Sequence, residues 1–170
     1  MKDILIAGIG NIFNGDDGFG CETVAELKGV NFPDEVTVID FGIRSYDLAY
    51  ALTNGHDAVI LVDAVPQGKA PGTVYLIEPD VGNLDKVGPS TIDPHSMNPV
   101  SAIQMAQSVG IIKAKLFLVG CEPAVLENDG EEIVLSEPVR RAVPQAVATV
   151  RTLVEEILSE DKGRAENISN

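Results

Sequence analysis

Basic residues are scarce in this chain. Lys and Arg number 12 against 26 Asp and Glu, a formal net charge of −14. A nucleic-acid binder presents stripes of Lys and Arg to phosphate, and an anionic membrane surface attracts polybasic segments, so both partner classes are excluded. Cysteine is scarce as well. Cys21 and Cys121 make no disulfide framework and call for no oxidising compartment. Long apolar runs are absent: nothing approaches the roughly 18 consecutive apolar residues of a membrane span. The opening MKDILIAGIGNIFNGDD breaks its apolar stretch with glycines too soon for a signal peptide. The expectation is a soluble, cytoplasmic protein. What is present is ordinary globular composition, 45% hydrophobic and 22% charged over 170 residues, enough for one domain with a sizeable core.

The pattern of elements predicts an α/β fold. Asp3 to Ile9 reads as a strand buried on both faces, followed by a loop from Gly10 to Gly18 and a helix from about Phe19 to Leu27. Glu35 to Asp40 reads as a second strand. Ser45 is a candidate cap for a helix running to about Leu52, and Asp57 to Asp63 is a third strand. Alternation of strand and helix implies parallel central strands. Ala64 to Gly72 is too short for a crossover helix, so Thr73 to Ile77 should run antiparallel to its predecessor. Glu78 to Pro99 is long and irregular, Val100 to Ser108 is helical, and Lys115 to Gly120 is the last strong strand. Ser136 and Pro138 suit the start of a closing helix whose apolar face is Val139, Val143, Val147, Val150, Val154 and Ile157. Pro144 should kink or split that helix. The expected architecture is three-layered: a mixed, mostly parallel five-stranded sheet with helices on both faces. One domain spans 1–159, and a polar tail, 160–170, should fray.

The densest chemical cluster is GIGNIFNGDDGFG, Gly8 to Gly20. A dinucleotide fingerprint needs a third glycine close behind the second. Gly8 and Gly10 fit, but Phe13 takes the third place, and Asp16 with Asp17 would repel phosphate. Carboxylates on a glycine-rich loop suit a cation better. At the same sheet edge Asp63 closes the third strand and Asp40 the second, while His95 sits in the long loop. One His and two carboxylates from separate segments form a metal-type constellation. Simpler readings stand beside it: Asp16 and Asp17 as a turn and helix-cap pair, Asp63 bonding its own turn, Asp40 as turn chemistry, and His95 as a solvated side chain. His56 lies at the wrong edge. Cys21 and Cys121 read as structural, and Ser45, Ser96 and Ser101 lie in no nucleophile motif.

Taken together, GIGNIFNGDDGFG, DFGIRSYDLAYAL, ILVDAVPQGKAPGTVYLIEP, DPHSM and LFLVGCEP, in that order, closely resemble the hydrogenase maturation endopeptidases from Met1 to about Leu158. The resemblance implies a mixed sheet with helices on both faces. It also implies that the catalytic, metal-contacting residues are Asp17, Asp63 and His95, with Asp16 leaving the first assignment open by one residue. The implied activity is a single cut that removes the C-terminal extension of a nickel–iron hydrogenase large-subunit precursor. The nickel would come with the substrate, so no tightly held cofactor is expected, and the enzyme should act as a monomer. An alternative reading keeps the same residues in a non-catalytic module that senses nickel or assists assembly.

Overall fold

The computed structural model describes residues 2–84, 98–124 and 134–168, with 161–168 described by backbone alone. Among them a five-stranded sheet has the order β2-β1-β3-β5-β4. The strands are β1 (Ile4–Ile9), β2 (Val36–Gly42), β3 (Ala58–Ala64), β4 (Val74–Ile77) and β5 (Lys115–Cys121). The helices are α1 (Phe19–Leu27), α2 (Ser45–Thr53), α3 (Pro99–Val109) and α4 (Glu137–Ile168), and a 3-10 turn, Gly15–Gly18, leads into α1. The β1–β2, β1–β3 and β3–β5 pairs are parallel, while β4 runs antiparallel to β5 with Val74 opposite Cys121. The short β3–β4 connection thus gives the reversal that its length predicts.

Every residue of β1 and β3 is buried, because helices cover both faces of the sheet. Strand side chains alternate between faces, and the two sets pack separately. Ile4, Ile6, Ile60, Val62, Phe117 and Val119 meet Phe19, Val24 and Leu27 of α1 and the valine stripe of α4. Leu5, Ala7, Val59, Leu61, Leu116 and Leu118 meet Leu48 and Leu52 of α2 and Ala102, Ile103 and Ala106 of α3. At about 25 cal/mol per Å² of apolar surface removed from water, these two layers supply the main driving force for folding.

Local details depart from the sequence expectations in three places. Helix α2 begins at Ser45, so the residue preceding it is Arg44, which makes no side-chain cap bond. Helix α3 starts one residue early because Asn98 caps it, its Oδ1 accepting from the Ser101 N–H at 2.9 Å. Ser136 does precede α4, but its hydroxyl donates to Asp16, and no helix N–H donates to it among the described residues. Of the two outcomes expected at Pro144, a kink or a split, the split does not occur: Pro144 lies inside α4. No helix of the described residues is long and apolar enough to cross a membrane.

Candidate active site

The order β2-β1-β3 means that the chain leaves β1 toward β2 on one side and later returns past β1 to lay down β3 on the other. The carboxyl ends of β1 and β3 therefore flank a topological switch point, where open α/β sheets place their ligands. Asp17 comes from the loop after β1, and Asp63 is the penultimate residue of β3.

The opening loop is folded on itself. The Asn11 N–H donates to Asp17 Oδ2 at 3.0 Å, the Phe13 N–H to Asn11 Oδ1 at 3.0 Å, and the Gly10 N–H to the Gly42 carbonyl at 3.1 Å. Gly10 has φ +129°, a region that side chains rarely adopt. A Cβ there would lie 1.8 Å from the Asp17 carbonyl oxygen and 3.6 Å from Asp63 Oδ1. Only a bare backbone fits between the two carboxylate-bearing residues.

The adjacent aspartates have separate tasks. Asp16 is fully buried. It accepts from the Ala124 N–H at 2.8 Å, from the Ser136 N–H at 2.7 Å and from the Ser136 hydroxyl at 2.9 Å. Its carboxylate is thus tied to the chain beyond β5 and to the start of α4. Asp17 is only half-buried, and among the described residues its carboxylate accepts from one backbone N–H.

Asp63 is 1% exposed and accepts from the Ala64 N–H at 2.8 Å. Burial is the main cause that raises its pKa well above the usual carboxylate range, and the nearby Asp17 charge pushes the same way, against the Ala64 hydrogen bond. Burial also raises Asp17, opposed by its bond from Asn11. Two carboxylates that are desolvated and repel one another form a site that a bound cation would relieve.

The surroundings of Asp63 are equally built. Asp63 pairs with Gly120 on β5, which pairs with Tyr75 on β4. A Cβ at Gly120 would lie 2.4 Å from the Tyr75 ring, so the glycine lets that ring lie over β5, and the Tyr75 hydroxyl donates to the Val65 carbonyl. The Tyr75 hydroxyl is raised in pKa by burial first, then by the charges of Glu122 and Asp63. Glu122 is 5% exposed, and its Oε2 accepts from the Gln67 N–H at 2.6 Å. It pins the loop that follows Asp63. Tyr75 and Glu122 escaped the sequence reading because their closeness to Asp63 depends on strand order.

Asp17 and Asp63 therefore come together, while His95, the third predicted residue, lies outside the described residues, as does Ser96. Among the described residues no group of three His, Cys, Asp or Glu side chains forms a metal cage. Asp40 performs turn chemistry: its Oδ1 accepts from the Gly42 N–H at 2.9 Å. Cys21 is buried, its thiol facing the Gly10 carbonyl at 3.4 Å. Burial raises the thiol pKa, helped by a hydrogen bond with Asp40 and by the charges of Asp40, Asp63 and Asp17. It is a protonated, inert thiol. Cys121 is likewise buried and pushed up to about 12, mainly by desolvation. His56 lies 3.1 Å from Asp3 at the opposite edge of the sheet.

Comparison with known proteins identifies the family of the chain. A family model described as hydrogenase maturation protease matches residues 21–153. A putative hydrogenase maturation protease of Methanocaldococcus jannaschii is 35% identical over 150 residues, covering 88% of this chain and 94% of that protein. The hydrogenase expression/formation protein HupD of Rhizobium leguminosarum bv. viciae is 35% identical over 153 residues, covering 88% and 73%. Among solved structures, the hydrogenase maturating endopeptidase HybD from E. coli is similar with a TM-score of 0.74 at 29% identity, over 92% of this chain and 93% of that one.

Proposed function

The chain belongs to the hydrogenase maturation protease family, and from that premise we propose that it removes the C-terminal extension of a nickel-loaded nickel–iron hydrogenase large-subunit precursor. One observation carries the reading: Asp17 and Asp63 stand together at the switch point, desolvated and repelling each other. Nickel held by the precursor is a cation of the kind that carboxylate and imidazole ligands suit, and His95 is the proposed third contact. The protein thus needs no metal of its own.

Docking on the metal fixes the precursor, and a scissile carbonyl brought beside the pair meets a carboxylate able to take the proton of an attacking water. Cys21 is no nucleophile, because its surroundings hold the thiol protonated. Asp17 has the more open carboxylate and Asp63 the more buried one. In this reading the enzyme works as a cytoplasmic monomer.

The test is processing of nickel-loaded precursor by Asp17→Asn and Asp63→Asn variants whose folding is verified by circular dichroism. The proposal expects both to leave the precursor at full length. Wild-type cleavage by a folded Asp63→Asn protein contradicts it. Tight binding by wild type with no shortening of the precursor would instead favour a nickel-sensing assembly module.

A further inference from the structure

Burial is the rule for large apolar side chains here, yet five that are 47% to 69% exposed gather beside one end of the sheet: Ile12, Phe13, Ile43, Tyr46 and Tyr50. Ile12 and Phe13 belong to the loop after β1, and Ile43 to the turn after β2. Those strands are neighbours, and the two loops are joined by the Gly10–Gly42 hydrogen bond. Tyr46 lies in the first turn of α2, at the same edge, and Tyr50 stands one turn further on the same helix face.

The rim is held in place rather than loose. Beneath Phe13, Asn11 takes the Phe13 N–H on its side chain and gives its own N–H to Asp17. Beside Ile43, the Arg44 guanidinium donates to the carbonyls of Asp40 and Phe41 and pairs with Asp47 at 3.2 Å. Hydrogen bonds thus fix the backbone beside Phe13 and Ile43 while the apolar side chains face water, which is how a preformed docking patch is presented.

We infer that this rim is the surface on which the folded body of the hydrogenase precursor docks, an inference that rests on the function proposed above. The argument is continuity. Asp63 is almost wholly buried, Asp17 is the more open carboxylate, and the loop that holds Asp17 carries the exposed Ile12 and Phe13. Exposed Phe and Tyr are the side chains that anchor protein interfaces. A second copy of the chain is a poor occupant, since it would cover the site and bring two charges of −14 together. An anionic membrane is disfavoured by the same charge.

The test compares wild type with Phe13→Ser/Ile43→Ser and with the control Ile111→Ser, which alters an exposed residue preceding β5 at the opposite edge. Cleavage of nickel-loaded precursor is followed over a range of precursor concentrations, and melting curves verify the fold. The expected result is a rise of about 10-fold or more in half-saturating precursor for the double variant, with turnover at saturation much less affected and the control like wild type. Tyr46→Ser repeats the test should the double variant fail to fold. Half-saturation equal to wild type in the folded rim variant overturns the docking inference and leaves the proposed activity standing. A wild-type protein that neither binds nor cuts the precursor overturns both. A wild-type dimer that Phe13→Ser/Ile43→Ser dissolves into monomers assigns the rim to a second copy and overturns the inference as well.

Discussion

Removing the Asp16 side chain should damage the protein more than any other single change in the opening loop except at Gly10. Its carboxylate is fully buried and, among the described residues, accepts three hydrogen bonds, two from the backbone N–H groups of Ala124 and Ser136 and one from the Ser136 hydroxyl. Asp16→Ala leaves two part-buried backbone donors without their acceptor, at roughly 1–3 kcal/mol each, so the loss should be about 3 kcal/mol or more with the hydroxyl and the cavity included. That is a large part of the roughly 5–15 kcal/mol by which a domain is stable. Asp16→Asn has the right shape but the wrong polarity on one side. If its NH2 replaces Oδ1 it faces the Ser136 N–H; if it replaces Oδ2 it faces the Ala124 N–H. Either way one backbone donor is lost, for about 1–3 kcal/mol. Ser136→Ala removes only the hydroxyl and should cost about 1 kcal/mol. Urea unfolding of the four proteins reads these values directly. A loss below about 1 kcal/mol for Asp16→Ala, or Ser136→Ala as harmful as Asp16→Ala, would refute the clamp.

Three further outcomes follow from the same geometry. Gly10→Ala combines a φ of +129° with a Cβ 1.8 Å from the Asp17 carbonyl oxygen, and should cost about 3 kcal/mol or more, visible in urea unfolding as a displaced midpoint. For Asp63, the folded pKa lies above the ordinary 3.8, so the native state binds more protons between the two values and stability falls as pH rises through that window. Asp63→Asn should therefore be more stable than wild type at neutral pH and flatten this part of the pH–stability profile; parallel profiles would contradict the burial argument. Cys21, held protonated by burial and by carboxylates around it, should resist iodoacetamide at mildly alkaline pH in the folded protein and react once guanidinium unfolds it, as peptide mass mapping will report.

The fold was largely legible because its strands announce themselves. Ile4–Ile9 and Ala58–Ala64 are unbroken apolar runs, and the nine residues from Ala64 to Gly72 cannot hold a crossover helix, so the antiparallel β4 follows from chain length alone. The order of the strands was not legible, because a run buried on both faces carries no record of its neighbours. For that reason Tyr75, which reaches the Asp63 region across Gly120, was invisible in the sequence. Asp16 and Asp17 are chemically identical neighbours, and what separates them is a partner 120 positions away, Ser136. Ser136 does stand at the N-cap position, its carbonyl accepting from the Arg140 N–H, but its hydroxyl is turned to donate to the buried Asp16 carboxylate, a charged acceptor that local spacing does not reveal. Asn98 before Pro99 was a local signal, an N-cap preceding a first-turn proline, and it set the start of α3 one residue ahead of the apolar pattern.

Mass measurement of the nickel-loaded large-subunit precursor, incubated with this protein beside a metal-free precursor, tests the central claim most directly. The account predicts that the nickel-loaded precursor alone loses one C-terminal peptide, and that Asp17→Asn leaves it intact. Equal shortening of the metal-free precursor, or of the loaded precursor by Asp17→Asn, would contradict the claim that the carboxylate pair acts on nickel carried by the substrate.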